Sequence, residues 1–331
     1  MAALDKHRIL ISGPFNHRVM KDLQGKGFEV VRCPANVSTD ELTRGLSGAD
    51  GYILGGNEKL TADVVNRAEK LGVIVFLGEQ PETFIGPDVK ALLDDRGIPL
   101  EIIEAVSTNA VAEFTCGLIL AALRRIPFLV RAVQDGEWPT YTGEELAGKT
   151  LGICGMGKIG YVVVKRLSGF DLSQVLYYDI VRAERAEEDF RVKRVNLDQL
   201  FAESDIVSIH TPLMPETRGM IGEDLLRRMR PAAVLVNTAR PQVVDPDALS
   251  RILEERRIAC AAFDGYYFEG PEFIECARKE DPYGLLYMRD RFFVTSHQGF
   301  NAQNSIRQSS EKAAGRIVGF FAESRRRTRA A

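Results

Sequence analysis

The stretch TLGICGMGKIGYVVVKRL, residues 150–167, decides how the rest of the chain is read. A strand-like apolar run ends at Cys154. Gly155-x-Gly157-x-x-Gly160 follows and opens a helical segment, with Lys158 and Ile159 between the last two glycines. Alone, such a pattern is a weak signal. Between a strand and a helix it has a mechanism. Gly155 permits a tight turn, Gly157 lets backbone approach a pyrophosphate, and Gly160 lets the helix pack close to the strand. The helix N-terminus adds unpaired N–H groups and a partial positive charge. The next strand, VLYYD, ends at Asp179, 19 residues after Gly160. A carboxylate there accepts from the adenosine ribose hydroxyls and repels a 2′-phosphate. NAD is therefore expected and NADP less so, with Arg182 and Arg185 just beyond as a softening influence. A glycine-rich turn with no ligand is the bland alternative.

Outward from this stretch, strand-like and helix-like segments alternate. RILISG (8–13), FEVVRC, GYILGG and GVIVFLG read as strands. HRVMKDLQGKG (17–27), TDELTRGLSG and TADVVNRAEKLG read as helices, the last two with threonine as N-cap. After residue 149 the alternation resumes, with strands at TLGICG, QVLYYD, DIVSIH, AAVLVN, IACAAFD and RFFVTS and a terminal helix over 301–324. Such alternation predicts parallel sheets covered by helices on both faces. Between the two runs, residues 106–133 form a mostly apolar stretch read as one long buried helix and a hinge between domains.

At 331 residues the chain suits two domains, and 45% hydrophobic with 27% charged residues is ordinary for a globular protein. A net charge of −3 gives no reason to expect a nucleic-acid or membrane surface. The basic tail SRRRTRAA reads as a solvated end, and MAALDKHRILISG does not read as a signal peptide. Five scattered cysteines without a CxxC pair fit reduced thiols in a cytoplasmic protein. Four histidines without ligand spacing give no metal site.

Three further strand ends carry groups with chemistry. VLVNTARPQVVD (234–245) places Arg240 just past a strand, where an arginine holds a carboxylate through a two-pronged contact or is simply solvated. IACAAFDGYYFEGP (258–271) offers Asp264 and Glu269, in what is by itself an ordinary acidic loop. FFVTSHQGFN (292–301) places His297 at a strand end, where a lone histidine is more often structural. Together, beyond the carboxyl ends of strands in one sheet with a dinucleotide loop, they supply a carbonyl holder, a proton donor and a carboxylate to tune the donor.

These residues resemble the D-isomer-specific 2-hydroxyacid dehydrogenase family, of the D-lactate and D-3-phosphoglycerate dehydrogenase kind. The resemblance runs over about residues 105–310, through NAVAEFTCGLILAALRR, GEWPTYTGEELAGKTLGICGMGKIG, LFAESDIVSIHTPLMPETRGMIG, LVNTARPQVVDPDAL and the Asp264/Glu269/His297 spacing. It implies an α/β fold of two Rossmann-like, doubly wound parallel-sheet domains with a cleft between them. Residues 1–104 plus 301–331 would bind substrate, and 105–300 would bind NAD. It implies a homodimer with residues 106–140 at the interface. It also implies an NADH-dependent 2-oxoacid reductase, reversible as a dehydrogenase. Arg240 would hold the substrate carboxylate and polarise its carbonyl, His297 would give the proton, and Glu269 would orient His297. Asp264 would hold the nicotinamide carboxamide. His210, Thr211, Pro212, Thr217, Thr238, Ala239 and Gly299 would line the cofactor, and Gly78, Glu79 and Gln80 the substrate.

Departures from the family pattern bear on the substrate. Pro241 follows Arg240 where glycine is usual, Gly270 follows Glu269, and Ser296 precedes His297. LGEQPETFIG (77–86) replaces a glycine-rich carboxylate loop, and Glu79 beside an anion is unfavourable unless it points away. Asn57 stands where the phosphoglycerate branch has arginine, which argues against 3-phosphoglycerate even with Lys59 near. Tyr266, Tyr267 and Phe268 put aromatic bulk beside Glu269. Two rivals therefore stand: a non-catalytic NAD-sensing corepressor on the same fold, and a reductase of a non-standard oxoacid, such as a phosphonate or biosynthetic one.

Overall fold

A computed structural model describes residues 6–33, 37–56, 58–78, 81–103 and 106–330. Asn57, Glu79 and Gln80 lie outside the described residues. The chain begins with five strands, β1 (Arg8–Ile11), β2 (Glu29–Arg32), β3 (Gly51–Leu54), β4 (Val73–Phe76) and β5 (Leu100–Ile102). Between them run α1 (His17–Gly25), α2 (Thr39–Leu46), α3 (Ala62–Arg67) and α4 (Pro87–Asp95). Next come α5 (Thr108–Arg124), α6 (Ile126–Gln134), β6 (Thr150–Cys154), α7 (Lys158–Leu167), β7 (Gln174–Tyr178), α8 (Glu184–Phe190) and β8 (Lys193–Arg194). The order continues α9 (Leu197–Glu203), β9 (Ile206–Ile209), α10 (Glu223–Arg228), β10 (Val234–Asn237), α11 (Pro246–Glu254), β11 (Cys260–Asp264), α12 (Gly270–Lys279) and β12 (Phe292–Thr295), and ends with α13 (Gln303–Ala330). No helix among the described residues is long and apolar enough to cross a membrane.

The chain divides into two compact units, Met1–Ser107 with Asn301–Ala331, and Thr108–Phe300. The first unit holds a parallel sheet ordered β2-β1-β3-β4-β5. Its central strands are buried on both faces, so they read as continuous apolar runs. Ile9, Ile11, Ile53, Val73 and Val75 face Val19 and Leu23 of α1 and Ala313, Ile317 and Phe321 of α13. Leu10, Tyr52, Leu54, Ile74 and Phe76 face Leu42, Leu46, Val64, Val65, Val89 and Leu93 of α2 to α4. Each large apolar side chain buried this way contributes about 1.5–3 kcal/mol.

The second unit holds a parallel sheet ordered β12-β11-β10-β9-β6-β7-β8. The order reverses at β6, so the crevice beyond the carboxyl ends of β6 and β9 is where such a sheet binds ligands. All five residues of β6 and all of β9 are buried.

Two sequence expectations need correction. The helix expected over 106–133 breaks at Arg125, which takes the left-handed φ of 51°. Pro127 cannot donate to Leu123 four residues back, and the Glu144 N–H takes that carbonyl instead (3.1 Å). α5 buries one face, with Val111, Thr115, Leu118 and Ala122, and exposes Asn109, Glu113, Gly117 and Arg124, while α6 exposes Ile126, Val130 and Val133 on one face, each near half. In α2 the N-cap is Ser38, not Thr39: its hydroxyl accepts from Glu41 N and the Glu41 carboxylate accepts from Ser38 N, a reciprocal capping box. In α3 threonine does cap, Thr61 accepting from Val64 N.

Candidate active site

The glycine loop after β6 is shaped as its spacing requires. Gly155 has φ +98°, and a Cβ there would meet the His210 carbonyl carbon at 2.8 Å. A Cβ on Gly160 would meet the Gly155 carbonyl oxygen at 2.5 Å. At Gly157 a Cβ would meet nothing within 4 Å, so the loop has open space there. Gly157 caps α7 without a side-chain hydrogen bond, leaving that helix N-terminus to an outside acceptor. A tight turn, an open middle and an uncapped helix start fit a dinucleotide pyrophosphate. Lys158 and Ile159 form the first turn of α7.

Asp179 braces this loop. Its carboxylate accepts from Met156 N at 2.8 Å and from Val181 N at 3.0 Å. Across the switch point, Thr211 donates to the Cys154 carbonyl (3.2 Å), and Thr217 donates to the Pro212 carbonyl (2.6 Å) while accepting from Met214 N. Asp179→Ala is expected to weaken NADH binding by about tenfold, the scale of one lost charged hydrogen bond, and NADPH less. The share acting through Met156 falls on both cofactors alike, and the ribose share falls on NADH alone. Fluorescence titration with both would decide; equal losses would remove the ribose role.

Beyond β10, Asn237 organises the arginine loop. Its side chain accepts from Ala239 N (2.9 Å) and donates to the Arg240 carbonyl (3.0 Å). The buried Thr115 of α5 gives its only hydroxyl hydrogen to Val111 O, so Thr238 donates across the 2.8 Å contact between the two. Arg240 is half-buried, with Nη1 donating to the Ala239 carbonyl at 3.1 Å. Pro241 opens a one-turn 3-10 helix, where a missing N–H and a fixed φ are tolerated. The departure at 241 is thus absorbed locally.

The loop beyond β12 is tied to Asp264, the last residue of β11. Asp264 is buried, and its carboxylate accepts from Thr295 Oγ1 (2.6 Å), Gln298 N (2.7 Å) and Gly299 N (2.7 Å). A Cβ on Gly299 would meet Asp264 Oδ2 at 2.8 Å, so glycine is needed for that approach. Held this way, His297 adopts a left-handed φ of 55°, at a strain of about 1–2 kcal/mol. Its Nδ1 lies 3.1 and 3.2 Å from the two Glu269 carboxylate oxygens. A carboxylate only accepts, so Nδ1 carries hydrogen and Nε2 is the nitrogen left to act elsewhere. The side chains of Glu269 and His297 are 32% and 21% exposed.

Glu269 is placed by a support that the sequence reading missed. Tyr266 donates to Asp281 Oδ1 (2.6 Å), and Asp281, itself buried, also accepts from Leu286 N (2.9 Å). Tyr267 donates to the Val244 carbonyl (3.2 Å). Gly265 has φ +108°, and a Cβ on it would meet Glu269 Oε1 at 2.8 Å. Tyr266 is buried in the core against Phe273 and Phe292, and the half-buried Tyr267 and Phe268 pack on it and on Tyr283. In the sequence, only an aspartate 12 residues past Glu269, followed by Pro282, marks this clamp.

Two other groups of the second unit, His210 and Tyr266, are unsuited to proton transfer near neutrality. Burial pushes His210 down to about 3, so its imidazole is neutral, with Nε2 on Ser208 Oγ (2.9 Å) and a buried Nδ1 lacking a partner. Burial, then the bond to Asp281, pushes the Tyr266 phenol far up. His7 stacks on Phe321 in the first unit. Gly78 follows β4 there, with no room for a Cβ beside the Phe76 ring.

Along the second sheet, the glycine loop, the His210–Thr211 turn, the Arg240 loop, the Asp264–Glu269 loop and the His297 loop follow five neighbouring strands in order. The family described as D-isomer specific 2-hydroxyacid dehydrogenase, NAD binding domain, matches residues 116–299. D-3-phosphoglycerate dehydrogenase of Methanocaldococcus jannaschii is 34% identical over 314 residues, 94% of this chain and 56% of that one. The chain belongs to the D-isomer specific 2-hydroxyacid dehydrogenase family. Glyoxylate reductase of Thermofilum pendens is 42% identical over 234 residues, covering 69% of this chain and 68% of that one. The TT0316 protein from Thermus thermophilus superposes with a TM-score of 0.77 at 29% identity, over 93% of this chain and 94% of that one. The chain spans little more than half the length of the first of these relatives. Residues 116–299 are thus an NAD-binding domain of this family, and NAD is its cofactor.

Proposed function

We propose that this protein reduces a 2-oxoacid to the D-2-hydroxyacid with NADH, and runs the reverse reaction with NAD. The observation that carries this reading is the His297–Glu269 pair, with Nδ1 bound to a carboxylate and Nε2 left over. Arg240 receives the substrate carboxylate and polarises the C2 carbonyl through its planar fork of N–H groups. His297 Nε2 delivers a proton to the C2 oxygen, and Glu269, bound to Nδ1, orients the ring. When bound, NADH supplies the hydride to C2. The balance is 2-oxoacid, NADH and a proton giving 2-hydroxyacid and NAD. Asp264 holds the His297 loop with three hydrogen bonds, and the carboxamide of the cofactor would share its remaining acceptor capacity.

The names of two relatives, D-3-phosphoglycerate dehydrogenase and glyoxylate reductase, support a 2-oxoacid as the substrate class. A homodimer in the cytoplasm completes the reading, and the apolar stripe of α6 together with Trp138, 88% exposed, and Tyr141 supports the dimer. A monomeric mass by light scattering would remove the dimer. The test of function is NADH consumption across glyoxylate, pyruvate and branched, aromatic, phosphorylated and phosphonate-bearing 2-oxoacids. Turnover of one class is expected. Silence across the panel with NADH still bound would favour the sensor reading.

A further inference from the structure

The end of β7 carries more arginine than an NAD site needs. Arg182 lies three residues past Asp179, on the turn that would carry the adenosine ribose, and Arg185 and Arg194 are near it. A guanidinium there is the usual partner of a 2′-phosphate. Each of the three is already engaged. Arg185 pairs with Asp189 (3.4 Å) and lies over the Tyr161 ring. Arg194 donates to the Asp179 and Ile180 carbonyls. Arg182 donates through both Nε (3.0 Å) and Nη2 (2.8 Å) to Glu187 Oε2.

The Glu187 pair is unlike an ordinary surface ion pair because its acid is anchored. Glu187 Oε1 accepts from the Tyr177 hydroxyl at 2.6 Å, and that hydroxyl also accepts from Ala183 N at 3.0 Å. Tyr177 is fully buried on β7, so it ties the carboxylate to the sheet and to the turn before α8. Glu187 is 20% exposed at its side chain, whereas Arg182 is 63% exposed. The arginine is thus sterically able to move, and one fixed carboxylate holds it. A surface pocket of about 310 Å³ beside it is lined by Arg182, Glu184, Glu187 and Glu188, three acids against one base.

We infer that Glu187, anchored by Tyr177, is a cofactor-specificity residue: by holding Arg182 it withholds from NADPH the exposed guanidinium on the ribose turn. Asp179 rejects the 2′-phosphate directly, and Glu187 acts through Arg182. The inference rests on the reading of the 155–160 loop and Asp179 as the dinucleotide site. It needs no knowledge of the substrate.

The experiment is titration of the whole protein with NADH and with NADPH, read by nicotinamide fluorescence, for wild type, Glu187→Gln, Arg182→Ala and the double variant. Glu187→Gln is expected to bind NADPH about tenfold more tightly, the scale of one additional charge-assisted hydrogen bond, with NADH within about twofold. The gain should vanish in the double variant and shrink as salt rises. Arg182→Ala alone should leave NADPH binding unchanged, a result that stands even if Glu187→Gln does not fold. Three results would overturn the proposal: no gain in Glu187→Gln, a gain that survives in the double variant, or a loss of NADPH binding in Arg182→Ala. A wild type that binds neither cofactor would instead overturn the dinucleotide reading beneath it.

Discussion

His297→Ala is expected to lower turnover of the accepted 2-oxoacid by about 10²–10⁴-fold, the range that one positioned general acid supplies, while NADH binds as before. Among the described residues of the second unit, this imidazole is the group that pairs a carboxylate with a ring nitrogen left over. His210 is neutral by burial, and the Tyr266 phenol holds its proton far above neutrality, so neither substitutes for it. Stopped-flow reduction alongside NADH titration separates the two effects. Unchanged turnover would sink the assignment of His297 as proton donor. Loss of NADH binding as well would mean that the substitution had released the whole 295–299 loop from Asp264.

Arg240→Lys is the second large effect, expected to lower kcat/KM by about 10- to 100-fold, the scale of a lost charge-assisted hydrogen bond. An ammonium keeps the charge but not the planar fork. The loop itself should survive, because Asn237, Thr238 and Thr115 hold its backbone without the Arg240 side chain. Near-wild-type kinetics would place the substrate carboxylate elsewhere. If the ground state alone is held, KM should rise and kcat stay; if the carbonyl is polarised too, both should change.

The parts of this molecule legible in its sequence are those written as local pattern. Buried parallel strands appear as short apolar runs. The glycine loop appears as spacing, and Arg240, Asp264 and His297 appear at strand ends where a parallel sheet gathers its ligands. What escaped was set by tertiary context. Two of the four edge strands are short and partly polar: β8 is Lys193–Arg194, both exposed, and β5, Leu100–Ile102, is only partly covered. Apolar periodicity ran unbroken through Arg125, and the break is written only in Pro127. The Asp281 clamp on the Glu269 loop reaches 15 residues, across α12, from a tyrosine whose partner no local pattern marks. The 77–86 loop carries the substrate question, and Glu79 and Gln80 lie outside the described residues.

Everything proposed for this site converges on one event, a hydride moving to C2 of a 2-oxoacid and a proton to its oxygen. The direct measurement is one turnover with NADH deuterated on both C4 positions, followed by mass and chiral analysis of the product. The expected result is one deuterium at C2 of the D-2-hydroxyacid for each NADH consumed. Deuterium found elsewhere, an L or racemic product, or NADH consumed without hydroxyacid would contradict it.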